Sequence, residues 1–195
     1  MKRGFYPKLA MTGIARNRKT YIPYILTCTG MIMMFYIVSF LSRSDTVAAM
    51  LGGDTMQGIL SLGSGVIFIF ALIFLFYTNS FLIRRRKKEF GLYNILGMGK
   101  RNLAGILVWE SVIIAALSYL GGLFCGILFS KLAELVMTRL LHGSVSFGFS
   151  VDWSAILRTL GLFAIIHCLI LLNALRQIHV SNPVELLRSE AVGEK

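Results

Sequence analysis

The chain has 195 residues, of which 56% are hydrophobic and 15% charged, with a net charge of +11 and a mean hydropathy of +0.73. Soluble domains are about 45–50% apolar and about 25% charged, so this composition excludes an ordinary soluble protein and indicates an integral membrane protein. The positive charge does not indicate binding to nucleic acid, because the basic residues lie in clusters between long apolar runs, the pattern that sets membrane orientation.

Four long apolar runs predict four transmembrane helices and therefore an all-α, polytopic membrane protein. About 20 helical residues cross a hydrocarbon core of about 30 Å, and each run is long enough. Residues 1–20 precede the first run and combine basic residues with an amphipathic pattern, typical of a charged flank or of an interfacial helix. The predicted spans are residues 21–41, 55–83, 103–130 and 155–175.

The distribution of charge between the spans predicts the orientation of the chain. Residues 1–20 and 84–101 together hold thirteen basic residues, whereas residues 42–55 and 131–154 hold three. Basic loops stay in the cytoplasm. We therefore expect both termini, including the tail 176–195, and the 84–101 loop to be cytoplasmic, and the other two loops to be extracellular.

The cytoplasmic loop 84–101 is the most informative segment. Its first five residues, 84–88, are all basic, and bases at this position pair with anionic lipid headgroups. An apolar stripe at helical spacing follows them, formed by Phe90, Tyr93, Leu96 and Gly97. A short amphipathic helix of this kind lies either on lipid or in a groove of a cytoplasmic partner, and the residues alone leave both open.

The third predicted span repeats small residues at every fourth position. Close approach of backbones over small side chains is a main source of helix association in lipid. We therefore expect a helix contact face on this span, with a partner that the pattern does not identify. Its residues are Ser118, Gly122, Gly126 and Ser130.

Two ionisable residues lie well inside apolar runs, Glu110 in the third span and His167 in the fourth. Intramembrane ionisable groups are functional candidates by default. Counted from the cytoplasmic ends of their spans, both lie at a depth of roughly 10–12 Å at 1.5 Å per residue. A hydrogen bond between them is geometrically possible; the alternative is that each faces the bundle interior separately.

The sequence predicts no catalytic residues, metal site or cofactor. The histidines are scattered, and the three cysteines fall inside apolar runs without paired spacing. Gly99 and Lys100 lack the upstream glycine and the following Ser or Thr of a phosphate-binding loop. Without a nucleotide site or a catalytic constellation, an enzyme is disfavoured.

The chain resembles FtsX-like permeases, and within them the BceB type of the bacitracin and peptide-antibiotic transporters. The resemblance covers about residues 8–190, with the permease domain expected at 57–180. Its strongest motif is the 76–98 segment, FYTNSFLIRRRKKEFGLYNILGM. The flanking motifs are residues 9–10 and 15–21 near the start and residues 181–188, SNPVELLR, near the end.

The resemblance implies a multi-pass subunit of the bacterial cell membrane that works with a separate cytoplasmic ABC ATPase, in which the ATPase activity resides. It also implies protection against cell-wall-directed peptide antibiotics, often with signalling to a membrane histidine kinase. Closure of the ATPases would be transmitted mechanically to the extracellular side. The loop after the second span would be the coupling helix, which docks on the ATPase through Glu89, Phe90, Gly91, Tyr93, Leu96 and Gly97.

The chain departs from these permeases in one respect. They continue into a second helical half with a large extracellular domain, and the loops 42–55 and 131–154 are too short to be that domain. The chain is interpreted as a fragment, a truncated product, or one half that assembles with a second permease half. The alternative function is a half-length membrane interaction module that regulates a histidine kinase and has no transport activity of its own.

Overall fold

The computed structural model describes residues 5–50, 52–95, 97–140 and 152–180, and within these ranges the regular elements are α-helices. They are α1 (Phe5–Arg16), α2 (Arg18–Leu41), α3 (Asp45–Ala48), α4 (Gly53–Arg85), α5 (Lys87–Ile95), α6 (Lys100–Leu140) and α7 (Trp153–Val180). Four of them, α2, α4, α6 and α7, are long and apolar enough to cross a membrane. The prediction of an all-α protein with four membrane-spanning helices is confirmed, whereas the cytoplasmic location of both termini stays a prediction.

The helix α6 continues past the predicted third span. It has 41 residues, which at 1.5 Å per residue is about 60 Å, roughly twice the thickness of the hydrocarbon core. Residues 131–140, placed at the start of the predicted extracellular loop, belong to this helix and contain neither Gly nor Pro to interrupt it. Residues 141–151 of the same loop and 181–195 of the tail lie outside the described residues.

The chain divides into two compact units. The first comprises Met1–Ile25, Leu75–Ala116 and Ile166–Lys195, and the second comprises Leu26–Phe74 and Leu117–Ile165. Each unit has an apolar core of its own, and each is described separately below.

The core of the first unit is formed by α4, α5, α6 and α7. Hydrogen bonds between side chains also connect the helices of this unit. Tyr6 of α1 donates to Asn102 of α6 at 3.0 Å, and Asn173 of α7 donates to Ser80 of α4 at 3.2 Å. Its buried apolar residues are Ile83, Phe90, Leu103, Leu107, Ala174 and Ile178, with Tyr93 packed against them.

The core of the second unit is built around the end of α2. Tyr36 and Phe40 stack with their ring centroids 6.3 Å apart, and Val47 of α3 packs with them. Near this core Glu134 is buried; it accepts a hydrogen bond from Ser44 and pairs with Lys131 at 2.6 Å. Lys131 and Glu134, which lie in the predicted extracellular loop 131–154, thus form an ion pair within the second unit.

Large apolar side chains cover the outer faces of α4 and α6. Leu62 is 76% exposed, and Leu120 and Phe124 are each 72% exposed. Such faces would be unfavourable in water, but hydrocarbon is as apolar as the side chains themselves. We therefore assign these faces to contact with lipid or with other membrane-embedded helices.

Candidate functional site

The short helix α5 lies between two membrane-spanning helices and is bounded by local backbone geometry at each end. The Arg86 amide donates to the Ile83 carbonyl at 3.1 Å where α4 ends, and the Phe90 amide donates to the Arg86 carbonyl at 3.1 Å where α5 begins. At the other end the Met98 amide donates to the Tyr93 carbonyl at 2.9 Å, and Gly97 between them has φ of 87°. This is the closure of a Schellman-type cap, in which glycine adopts the left-handed conformation at no steric cost.

One face of α5 is attached to the core of the first unit. Phe90 is 1% exposed and packs with Leu103 and Leu107 of α6, and Tyr93 packs against the same cluster. Gly91 is buried as well. The predicted apolar stripe therefore holds α5 in place through Phe90 and Tyr93.

The opposite face of α5 is apolar and exposed. Leu92 is 55% exposed and Ile95 is 65% exposed. Glu89 and Gly97, two of the residues expected to dock on the ATPase, are also accessible to solvent, whereas Leu96 lies outside the described residues. A short helix thus presents an apolar surface that no described part of the unit covers.

A buried ion pair lies at the beginning of α5. Arg86 and Glu110 of α6 are in salt-bridge contact through Nη1 and Oε2, and both side chains are almost wholly buried. The Tyr21 hydroxyl of α2 donates to the same Glu110 oxygen at 3.0 Å, and Arg86 also donates to the Tyr21 hydroxyl. Three elements of the first unit therefore meet at one carboxylate.

The pair is extended toward the surface by Glu89. Arg86 Nε bonds Glu89 Oε2 at 3.0 Å, and Asn17, between α1 and α2, donates to Glu89 Oε1 at 2.8 Å. The Arg86 guanidinium also lies over the rings of Tyr21 and Phe90, 5.4 Å and 5.0 Å from their centroids, in cation–π geometry. We call Asn17, Tyr21, Arg86, Glu89 and Glu110 the Arg86 cluster.

The cluster supplies the counter-charges of the buried arginine. Burial lowers the pKa of Arg86, but the neighbouring carboxylates of Glu110 and Glu89 outweigh it and hold the pKa above its ordinary value. The guanidinium is therefore a permanent cation in the interior of the unit, and its energetic balance depends on its carboxylate partners.

Glu110 takes different partners from the one considered in the sequence. The Glu110 carboxylate accepts hydrogen bonds from Tyr21 and Arg86, and both Glu110 and His167 are buried. Similar depth along two helices does not fix the direction in which each side chain points, so both the Glu110 to His167 bond and its alternative stay predictions.

No sequence pattern distinguishes Arg86, Tyr21 or Asn17 from the residues around them. Arg86 belongs to a run of five bases, and Arg84 and Arg85 of the same run are exposed as expected for headgroup contact. The available signal was Glu110 itself, because a carboxylate in an apolar run requires a cationic partner. The nearest basic run along the chain, residues 84–88, contains that partner.

A small cavity adjoins the Arg86 cluster, with room for about two water molecules. Glu110 and Asn79 are among its lining residues, and Glu110 Oε1 and Asn79 Nδ2 have no hydrogen-bond partner among the described residues. Leu82, Phe90 and Ile114 make the remaining wall largely apolar. The cavity therefore combines a largely apolar wall with two polar side chains of the cluster's surroundings.

The small residues of α6 lie against α2 in the second unit. A Cβ atom on Gly122 would come within 2.7 Å of Ile32, and one on Gly126 within 3.0 Å of Tyr36. Ser118 and Ser130 of the same stripe are buried. Glycine at these two positions is what allows the two backbones to approach.

The described residues contain no group of three or more His, Cys, Asp or Glu side chains that could hold a metal ion. The site consists instead of a buried charge cluster and the exposed face of α5. The charge cluster connects α2 and α6 with the junction of α4 and α5.

The fold defines a multi-pass helical membrane protein. A family model described as FtsX-like permease C-terminal matches residues 61–183. The chain belongs to the FtsX-like permease family, and it is a protein of the bacterial cell membrane.

The curated relatives are permeases of ABC transporters. The chain is 31% identical to the uncharacterized ABC transporter permease YvcS of Bacillus subtilis (strain 168) over 183 residues, covering 93% of this chain and 28% of that protein. It is 28% identical to the bacitracin export permease protein BceB of Halalkalibacterium halodurans over 166 residues, covering 84% of this chain and 25% of the relative. It is 26% identical over 125 residues to the ABC transporter permease protein YxdM of Bacillus subtilis, covering 64% and 20% of the two chains. The chain therefore spans about a quarter of the length of the curated relatives it matches.

Proposed function

We propose that the chain is part of the membrane subunit of an ABC transporter, and that α5 is the helix on which a separate cytoplasmic ATPase docks. The observation that carries the proposal is the construction of α5: one face is anchored by Phe90, and the other exposes Leu92 and Ile95. An amphipathic helix that inserts apolar residues into a groove of its partner is a recurrent mode of recognition.

The surroundings of α5 support docking in the cytoplasm. The exposed bases Arg84 and Arg85 precede the helix, and basic segments stay on the cytoplasmic side, where they also attract anionic lipid headgroups. In this proposal Glu89, Phe90, Gly91, Tyr93 and Gly97 shape and hold the docking segment, and Leu96 stays a predicted docking residue outside the described residues. Leu92 and Ile95 make its direct apolar contacts.

The proposed cargo class is peptide antibiotics that act on the cell wall. Its support is that relatives matched over 84% and 85% of this chain carry the name of bacitracin export permeases. The activity, substrate and further partners of the full-length permeases extend to this chain only as part of the proposal, since it spans about a quarter of their length.

The docking proposal is tested by co-purification. The affinity-tagged chain is co-expressed in turn with each ABC ATPase subunit of the same genome that lacks membrane spans of its own, and ATP hydrolysis and ATPase content are measured in the purified membrane fraction. We expect Leu92→Asp and Ile95→Asp each to abolish recovery of the ATPase, because a carboxylate placed in an apolar groove loses its hydration without gaining a partner.

The matched control is Ala15→Asp, which adds the same charge at an exposed position of α1. It should leave recovery of the ATPase unchanged. Normal recovery with Leu92→Asp and Ile95→Asp, or failure of every such ATPase to bind the unaltered chain, would contradict the proposal. Phe90→Asp is not a suitable test, because burying a charge in the core would disturb the fold itself.

A further inference from the structure

The Arg86 cluster connects the proposed docking helix to two membrane-spanning helices. Arg86 lies at the junction of α4 and α5, Glu110 in α6 and Tyr21 in α2. We infer that Arg86 is a positioning residue that transmits displacement of α5 to α6 and α2 through its ion pair with Glu110. The inference rests on the proposed docking of an ATPase on α5 and assigns the residues through which docking would act on the membrane helices.

The geometry of the guanidinium makes the connection directional. Arg86 bonds Glu89 of α5 through Nε at 3.0 Å and Glu110 of α6 through Nη1. The donors of a guanidinium lie in one plane and in fixed directions, so two carboxylates bound along different edges fix its orientation. Rotation of α5 against α6 would break one of these charge-assisted bonds or carry α6 with it.

The apolar contacts of α5 cannot have the same effect. Phe90 and Tyr93 hold the helix against the core, but hydrophobic attraction is non-directional and permits sliding. The ion pair is therefore the element of the contact that specifies how a displacement of α5 is passed on.

A gain in the free energy of unfolding does not explain why the Arg86–Glu110 ion pair is present. Charges removed from water lose their hydration, and replacing a buried ion pair with apolar side chains of similar size is often neutral or stabilising. Arg86 and Glu110 are both buried, so this comparison applies to them. Their contribution is expected in the response of the molecule to its partner, more than in its resistance to unfolding.

The experiment separates these two contributions with the double variant Arg86→Met/Glu110→Leu. The three native cysteines are first replaced, and Val112→Cys on the exposed face of α6 is labelled with an environment-sensitive fluorophore. The labelled chain is then reconstituted with its ATPase in lipid nanodiscs. Stability, affinity for the ATPase and the change in fluorescence on adding ATP are measured. We expect unchanged affinity and stability, and a fluorescence response at least about fivefold smaller, the lower range of allosteric coupling.

The matched control is Arg84→Met, which removes an exposed base from the same run and should leave the fluorescence response at its original size. A full response in the double variant, with the ATPase bound, would overturn the inference and leave docking on α5 intact. Failure of the unaltered chain to bind the ATPase would instead overturn the proposed function, so the two failures are distinguishable.

A second variant covers the case in which the double variant does not fold. Glu110→Gln keeps the shape of the side chain and an acceptor for Tyr21 and removes only the charge at position 110, so Arg86 retains Glu89 as a counter-charge; its unfolding is measured beside its response. Its fluorescence response should also fall by several fold with the ATPase bound. An undiminished response in Glu110→Gln would overturn the inference on its own.

Discussion

Arg86 carries a permanent charge inside the first unit, and every polar group that faces it comes from a different point along the chain. Tyr21 and Glu110 meet it from α2 and α6, and Glu89 from the next turn of α5. Since each carboxylate is held by its bonds to the same guanidinium, loss of the arginine would leave Glu110 buried without its counter-charge. The cluster is therefore sensitive to the removal of a single member.

We expect Arg86→Ala to lower the free energy of unfolding by about 3–5 kcal/mol, because breaking a buried pair leaves an uncompensated charge. The measurement is unfolding by SDS titration in detergent micelles. Arg84→Ala, two residues earlier and exposed, should change the free energy of unfolding by no more than about 0.5 kcal/mol. Equal effects of the two substitutions would show that Arg86 is not held as the structure has it.

Glu110 could be predicted as a candidate site residue from the sequence, but its partners could not. Hydropathy reveals a lone carboxylate in an apolar run and its depth along the helix, but depth does not tell which way the side chain points. His167 has a similar depth and was considered for that reason, whereas Arg86 was grouped with the bases that face lipid headgroups. Only the tertiary arrangement separates Arg86 from the exposed Arg84 and Arg85.

At the scale of single elements, α5 and α6 show what periodicity can and cannot establish. The sequence predicts a short amphipathic helix in the 84–101 loop, but α5 has apolar residues on both faces: Phe90 and Tyr93 pack inward, and Leu92 and Ile95 face outward. In nine residues a hydrophobic stripe does not distinguish an anchoring face from a docking face. In α6 the spacing of small residues is more informative, because glycine is required wherever the backbone of α2 comes close.

We expect Gly122→Ala to lower the free energy of unfolding by about 1–3 kcal/mol, since the added Cβ would lie 2.7 Å from Ile32 and force the helices apart. The same SDS titration measures it. Gly58→Ala in α4 is the matched control, because a Cβ there meets no atom within 4 Å, and better helix propensity should make it neutral or slightly stabilising. A stable Gly122→Ala variant would contradict the close contact between α2 and α6.

At the scale of the whole molecule, the bilayer makes the number of spans predictable. Backbone polar groups in hydrocarbon must be satisfied within the chain, so uninterrupted apolar runs become helices almost regardless of their neighbours. Four such helices lie within the part of the chain that the structure describes. The ends of the helices are less predictable, as α6 shows, because polar residues after residue 130 do not stop a helix that lacks glycine and proline there.

The predicted orientation can be checked with single cysteines in a chain from which the three native cysteines have been removed. Ala49→Cys and Gly99→Cys both replace small exposed residues, one in the loop before α4 and one in the loop before α6. We expect a membrane-impermeant maleimide to label Ala49→Cys in intact cells and Gly99→Cys only after permeabilisation. The reason is that the thirteen basic residues of segments 1–20 and 84–101 keep the loop with Gly99 in the cytoplasm. The reverse labelling pattern would contradict both the orientation and the docking of a cytoplasmic ATPase on α5.

The interruption between α4 and α5 at Arg86 also sets the boundaries for exchanging parts between related permeases. A graft of residues 87–97 would replace the exposed face of α5 while leaving Arg86 and Glu110 in place. The incoming segment must still supply an acid at position 89 and an aromatic ring at position 90 to meet the arginine. A graft that begins earlier separates the arginine from its carboxylate in α6, so chimeras joined within residues 84–86 must carry both residues from the same parent.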